Sequence, residues 1–235
     1  MATFIAAAVL ALVHLFGAKL TTLERIPRSR WLSFAGGISV AYAFMHLLPD
    51  LAKHHKILKQ PPVFLPDFIH YNAYFIALLG LVTFYGLERH IRTHRRKRGP
   101  NEPPAQGAFW LHIGSFSLYN GLMGYLLLTR TGDELLFYSI AIGLHFLVND
   151  NSLRQDHKHL YATRGRWFLA ASIILGWSIG LLSEIHELVI STLTAFVAGS
   201  IVLNVLKEEL PEERESHFLS FFIGAVVYSL ILLAA

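Results

Sequence analysis

Cysteine is absent from the 235 residues, which excludes disulfides and thiolate metal sites and leaves the redox compartment unspecified. Charge is scarce as well. Asp, Glu, Lys and Arg make up 15% of the chain against 54% hydrophobic residues, whereas an ordinary soluble domain is about 25% charged. That shortage, with a mean hydropathy of +0.46, excludes an all-aqueous bundle, because helices so poor in charge leave almost no polar face for solvent. No basic patch interleaved with aromatics is present, so the formal charge of +4 does not read as a nucleic-acid surface. Neither His-Glu-x-x-His nor a nucleophile arrangement occurs, and no enzyme is expected.

What the chain has is long apolar blocks separated by short charged segments. Eight runs approach the length of a bilayer span: Thr3–Leu20, Trp31–Asp50, Tyr71–Glu88, Gly107–Thr129, Glu134–Asp150, Trp167–Ser183, Leu188–Leu206 and His217–Ala234. An all-α, polytopic membrane protein with one transmembrane domain over residues 1–235 is expected. The first run lacks a positively charged start, its first lysine being Lys19, so it reads as a retained helix rather than a cleaved signal. Sixteen of the 20 Lys and Arg fall in the connections after runs one, three, five and seven. The positive-inside rule then puts those connections in the cytoplasm and both termini outside, in an integral protein of the plasma (inner) membrane. The connection 89–106, with its Arg/Lys run and Gly99-Pro100, is expected to be an irregular cytoplasmic loop.

Two halves share a pattern. Phe34, Gly37 and Pro49-Asp50 in run two match Phe196, Gly199 and Pro211-Glu212 in run seven at the same offsets. The runs point in opposite directions, which suggests inverted halves over about 1–90 and 165–235 around central helices over about 107–150. His46 and Asp50 lie four apart, hence on one helix face at the outer mouth. Glu208 and Glu212 repeat that spacing on the inner side, where His157 and His159 also lie. Imidazole and carboxylate at both ends suit cation handling; ordinary interfacial polar groups are the alternative.

Polar groups inside the membrane are costly and mark functional candidates. Counting the helical rise puts Asn120 and His145 at one depth, with Asn149 one turn from His145 and Asp150 beside it. These four form a candidate metal track between helices four and five. The alternative is an interhelical hydrogen bond from Asn120 to His145 that holds the bundle. His14, at mid-depth in the first helix, is expected to face Ser or backbone groups and is not counted as a ligand.

The stretches His46-Leu47-Leu48-Pro49-Asp50, Phe196-Val197-Ala198-Gly199 and Glu208-Glu209-Leu210-Pro211-Glu212 resemble the ZIP family of divalent-metal transporters, over nearly the whole chain. The resemblance implies eight helices in a three-plus-two-plus-three inverted arrangement and a metal site between helices four and five. It implies no required cofactor, a transported Zn2+, Fe2+ or Mn2+, the bilayer and the ion as partners, no nucleic acid, and a possible homodimer. The family's helix-four motif, His-Asn-x-x-acid-Gly, meets Tyr119-Asn120-Gly121-Leu122-Met123-Gly124, so its histidine and acid are missing. The helix-five motif meets His145-Phe146-Leu147-Val148-Asn149-Asp150, retaining His145 and an acid. Losing carboxylates excludes the usual binuclear site, because amides and thioethers cannot neutralise two cations. A weakened mononuclear site on Asn120, His145, Asn149 and Asp150 is left. Two functions stay open: a divalent-cation transporter, or a ZIP-like membrane protein with a structural, regulatory or other-solute role.

Overall fold

The computed structural model describes residues 1–17, 28–58, 72–97, 106–183, 186–209 and 217–234, and all of the regular structure among them is helical. In chain order the helices are α1 (Ala2–Phe16), α2 (28–58), α3 (Ala73–Lys97), α4 (Gln106–Leu126), α5 (Gly132–Leu160), α6 (Arg166–Leu182), α7 (Glu187–Glu209) and α8 (Phe218–Ala234). Three helical stretches, Arg30–Lys56, Gly132–Leu182 and Glu187–Asn204, are long and apolar enough to cross a membrane, and Ala2–Phe16 and Phe218–Ala234 are shorter apolar helices.

The outside of the bundle is greasy. Leu182, Phe218, Leu233 and Leu118 are at least 69% exposed, and α8 turns Phe222, Ile223, Leu230 and Ile231 outward as well. A contiguous apolar exterior of this kind is what a bilayer solvates and water does not. Hydroxyls in these helices bond back to the preceding turn: Ser39 to the Ala35 carbonyl, Ser139 to Leu135, Thr192 to Leu188 and Ser200 to Phe196. Each donor is thereby satisfied where no water is at hand.

Helix α2 lies along α8, α3 along α7 and α4 along α6, while α1 packs on α5 and α6, and α2 on α5. The three long pairings share one device. A Cβ on Gly37 would strike the Phe221 carbonyl oxygen, and one on Gly224 the Phe34 carbonyl. Gly199 and Gly80 stand in the same reciprocal relation to Ala77 and Phe196, and Gly176 and Gly124 to Gly121 and Ile173. In each case the glycine sits three residues beyond the carbonyl its partner covers. The backbones meet directly, as small-residue crossings in apolar surroundings require. Phe34/Gly37 and Phe196/Gly199, the repeated pairs of the sequence, are therefore packing residues.

The apolar runs coincide with helices, but several expected connections are helical too. α2 continues through residues 51–58, and α3 carries the basic stretch 89–97 as helix. Helix breakers arrive only at Pro61-Pro62 and Gly99-Pro100, so nothing in the polar tails ends the hydrogen-bond ladder earlier. α5 and α6 follow one another through a π-turn at Tyr161–Gly165 instead of an irregular loop. Just before that turn, inside α5, the chain bends at Lys158, the one non-glycine residue of positive φ (37°) among the described residues.

The crossings give a stability test. Gly199→Val should lower stability in detergent by about 1–3 kcal/mol through overpacking against the Ala77 carbonyl. Gly86→Ala, where an added Cβ meets nothing within 4 Å, should leave the unfolding midpoint unchanged or slightly raised. Thermal unfolding followed by circular dichroism compares the two.

Candidate metal centre

Pro49 shapes the first polar site. Lacking an N–H, it cannot bond the carbonyl four residues back, and its ring crowds that turn. α2 responds by widening into a π-turn at Ala43–Leu47, in which the Leu48 N–H reaches the Ala43 carbonyl. His46 lies in that turn, a kind of irregularity that recurs at functional positions. Its ring stacks on Tyr42, with centroids 5.1 Å apart.

From there His46 Nε2 stands 3.9 Å from Asp50 Oδ2 and 3.7 Å from Glu134 Oε1 at the start of α5. The ligand atoms of His46, Asp50 and Glu134 all lie within 4.8 Å of one another, the one such grouping of three among the described residues. Asp50 is buried, His46 half-buried, and Glu134 is 42% exposed at its side chain. One imidazole nitrogen and two carboxylates form a donor set for Zn(II), Fe(II) or Mn(II). His46 Nε2 is buried and makes no hydrogen bond among the described residues.

A protein cation already occupies the cluster. Arg130, from the short α4–α5 connection, donates from Nη1 to Asp50 Oδ2 at 2.7 Å and stands 3.6 Å from Glu134 Oε1. Its guanidinium lies over the Tyr138 ring at 5.7 Å, a cation–π contact. Lys53 donates to the other Asp50 oxygen at 3.0 Å from an exposed position. A metal ion entering here would take over both carboxylates from Arg130.

The candidates on α4 and α5 resolve into two adjoining hydrogen-bonded groups. Asn120 donates from Nδ2 to His14 Nε2 at 2.9 Å, and His14 Nδ1 donates to both Asp150 oxygens at 2.7 and 2.9 Å. His14 is thus the carboxylate's partner, not a residue facing Ser or backbone groups. In the second group Tyr119 Oη donates to His145 Nε2 at 3.0 Å, and Asn149 Nδ2 donates to the same nitrogen at 2.9 Å. An amide has hydrogen only on nitrogen, so in this arrangement Nε2 of both histidines is an acceptor. The nitrogens that would face a metal carry protein donors. His14, Asn120, His145, Asn149 and Asp150 are all at most 5% exposed.

Near the end of α5 His157 is buried and lies 3.0 Å from His112 of α4, whereas His159, expected with it at the inner side, is exposed. Glu208 lies at the end of α7 with its side chain outside the described residues, and Glu212 is outside them altogether. Sequence reasoning paired His46 with Asp50 but missed Glu134, Arg130 and His14. Glu134 and Arg130 share a helical i,i+4 spacing, the one local signal they carry. His14 carries none, since Asp150 lies 136 residues away.

No family model matches the chain, and no curated protein is detectably similar to it in sequence. The site therefore has to be read from its own chemistry.

The Asp50–Arg130 pair is buried on both sides, so removing one partner is costly. Arg130→Met should destabilise the protein by about 3–5 kcal/mol. Adding Asp50→Asn should return part of that loss, a positive coupling in a double-mutant cycle of unfolding in detergent. Independent, additive effects would show that the two groups do not interact.

Proposed function

We propose that the protein is a membrane carrier for a divalent cation such as zinc, iron(II) or manganese, built like the ZIP transporters, with His46, Asp50 and Glu134 as the station at which the ion enters. The observation that carries this reading is the convergence of an imidazole and two carboxylates from α2 and α5 within 4.8 Å, in a chain whose exterior is apolar. Structural groups that merely cap helices do not need three potential ligands from two helices.

The finer features of the reading are eight passes, both termini outside, and inverted halves of three helices around α4 and α5. They draw support from the pairing of helices. Exchanging the halves turns the α2–α8 crossing into the α7–α3 crossing, and each is built from the same carbonyl-and-glycine clasp. Beyond the entry station the ion passes between α4 and α5, where Asn120, His145, Asn149 and Asp150 offer one nitrogen donor and one carboxylate. Such a site binds weakly, which suits a carrier that must release its load. The protein acts by binding and moving the ion and performs no catalysis.

A second reading, a ZIP-like membrane protein that binds a cation without moving it, is favoured by one feature. The metal-facing nitrogens of His14 and His145 are filled by the amides of Asn120 and Asn149.

Uptake of Zn2+, Fe2+ or Mn2+ into proteoliposomes separates the two. Under the transport reading wild type accumulates ion, and Glu134→Gln with His46→Gln lowers the initial rate at limiting ion at least tenfold, by roughly the 1.4 kcal/mol or more that a lost ligand represents. Equal uptake by wild type and the double variant overturns the entry station. Binding that is lost in the double variant, with no uptake by wild type, establishes the second reading.

A further inference from the structure

The other end of the bundle holds a cluster that the entry station does not use. His112 lies in the second turn of α4 and His157 near the end of α5, 1% and 3% exposed. His112 Nδ1 and His157 Nε2 face one another at 3.0 Å. On the far side of the His112 ring, Nε2 lies 3.6 Å from Glu88 Oε2 of α3. His157 is 23 residues beyond Glu134 along α5, about 35 Å at the helical rise, so the two clusters are at opposite ends.

We propose that His112 Nδ1 and His157 Nε2 are the nitrogen ligands of a second divalent-cation site, one that takes a borderline ion of the Zn(II) or Co(II) class. Three observations carry it. First, the two nitrogens are nearly at the spacing a metal needs. Two imidazoles bound to one tetrahedral ion at 2.0–2.1 Å lie about 3.3 Å apart, so the pair opens by about 0.3 Å to admit it.

Second, a carboxylate lies behind His112, on the side where metal-binding histidines carry one. Glu88 stands 3.6 Å from Nε2, an ion-pair distance rather than a hydrogen bond, and its charge favours a ring proton on that side, with the Nδ1 lone pair facing His157. In the metal-free protein that lone pair accepts the His157 Nε2 proton; for a cation to bind there, His157 takes the tautomer with its proton on Nδ1, which frees Nε2 as the second ligand. Phe109 and Phe116 close on the two rings, each 5.2 Å from one of them.

Third, the backbone is strained beside the ligand. Lys158, immediately after His157, has φ 37° and ψ −110°, a conformation that costs a non-glycine residue of order 1–3 kcal/mol and clusters at functional positions. An interhelical hydrogen bond alone does not require it. Lys158 lies inside α5 one residue past His157, so the imidazole is held beside the kink.

With two protein nitrogens and water completing the shell, the site is exchangeable. It does not depend on the entry station binding an ion, and the two can be told apart. Full-length protein in micelles is titrated with Zn2+ against a chromophoric chelator. Wild type should show two classes of ion; His112→Gln removes one and His46→Gln with Glu134→Gln removes the other. Glu88→Gln should keep the stoichiometry and weaken the first class about tenfold.

Because a buried histidine variant can fail to fold, the His46→Gln/Glu134→Gln protein, whose inner cluster is untouched, is also loaded with one Zn2+ for X-ray absorption. Imidazole scattering in the zinc shell is expected. A shell of oxygen only, or a His112→Gln protein with unchanged stoichiometry and affinity, overturns the inner site. Loss of the other class alone overturns the entry station and leaves this one standing.

Discussion

Direct contact between backbones is the constraint on which the rest of the bundle depends. Lipid solvates leucine as well as another helix does, so apolar burial alone cannot choose which helices pair. The choice falls to places where a glycine lets one helix lie on a carbonyl of the next. Gly37 with Gly224, Gly80 with Gly199, and Gly124 with Gly176 set three crossings in this way. Once α2 is clasped to α8 and α3 to α7, the remaining face of α2 is turned to α5. That is the face on which His46 and Asp50 meet Arg130 and Glu134. The His46, Asp50 and Glu134 cluster is thus a by-product of helix pairing, aimed finally by the π-turn at Pro49.

The polar interior divides by what fills it. At the α2–α5 end the carboxylates hold a guanidinium, a mobile cation's natural competitor. In the middle, imidazoles hold amide hydrogens. At the α4–α5 far end two imidazoles hold each other. Not every donor and acceptor is paired: His46 Nε2, Arg130 Nε, Asn120 Oδ1 and His112 Nε2 are buried and make no hydrogen bond among the described residues, which a low-dielectric interior makes costly. The three groups differ in how readily an ion can replace the incumbent: a neighbouring lone pair or a charged side chain on a short connection yields more easily than two fixed donors on one nitrogen.

Much of the fold was legible in the sequence. Apolar runs of bilayer length coincide with helices because an apolar phase forces the backbone to satisfy itself internally. The Phe-to-Gly spacing repeated at Phe34/Gly37 and Phe196/Gly199 was legible too, and it marks actual crossings. His46 and Asp50 were legible as one helix face. What escaped was everything decided between distant helices. His14 finds Asp150 across 136 residues, and Asp50 finds Arg130 across 80; no local spacing encodes either. The extended helical ends at residues 51–58 and 89–97 escaped for a different reason. A polar stretch carries no stop signal of its own, and α2 continues even through Pro49 by widening its turn.

The amide of Asn149 has a wider consequence. Asparagine and aspartate share a shape, and differ at this position by whether the atom nearest His145 brings a hydrogen or a negative charge. The packed middle of the protein therefore presents a hydrogen, not a charge, to His145 Nε2. Exchange of a single nitrogen for oxygen would reverse the polarity of that contact while leaving the size of the side chain unchanged.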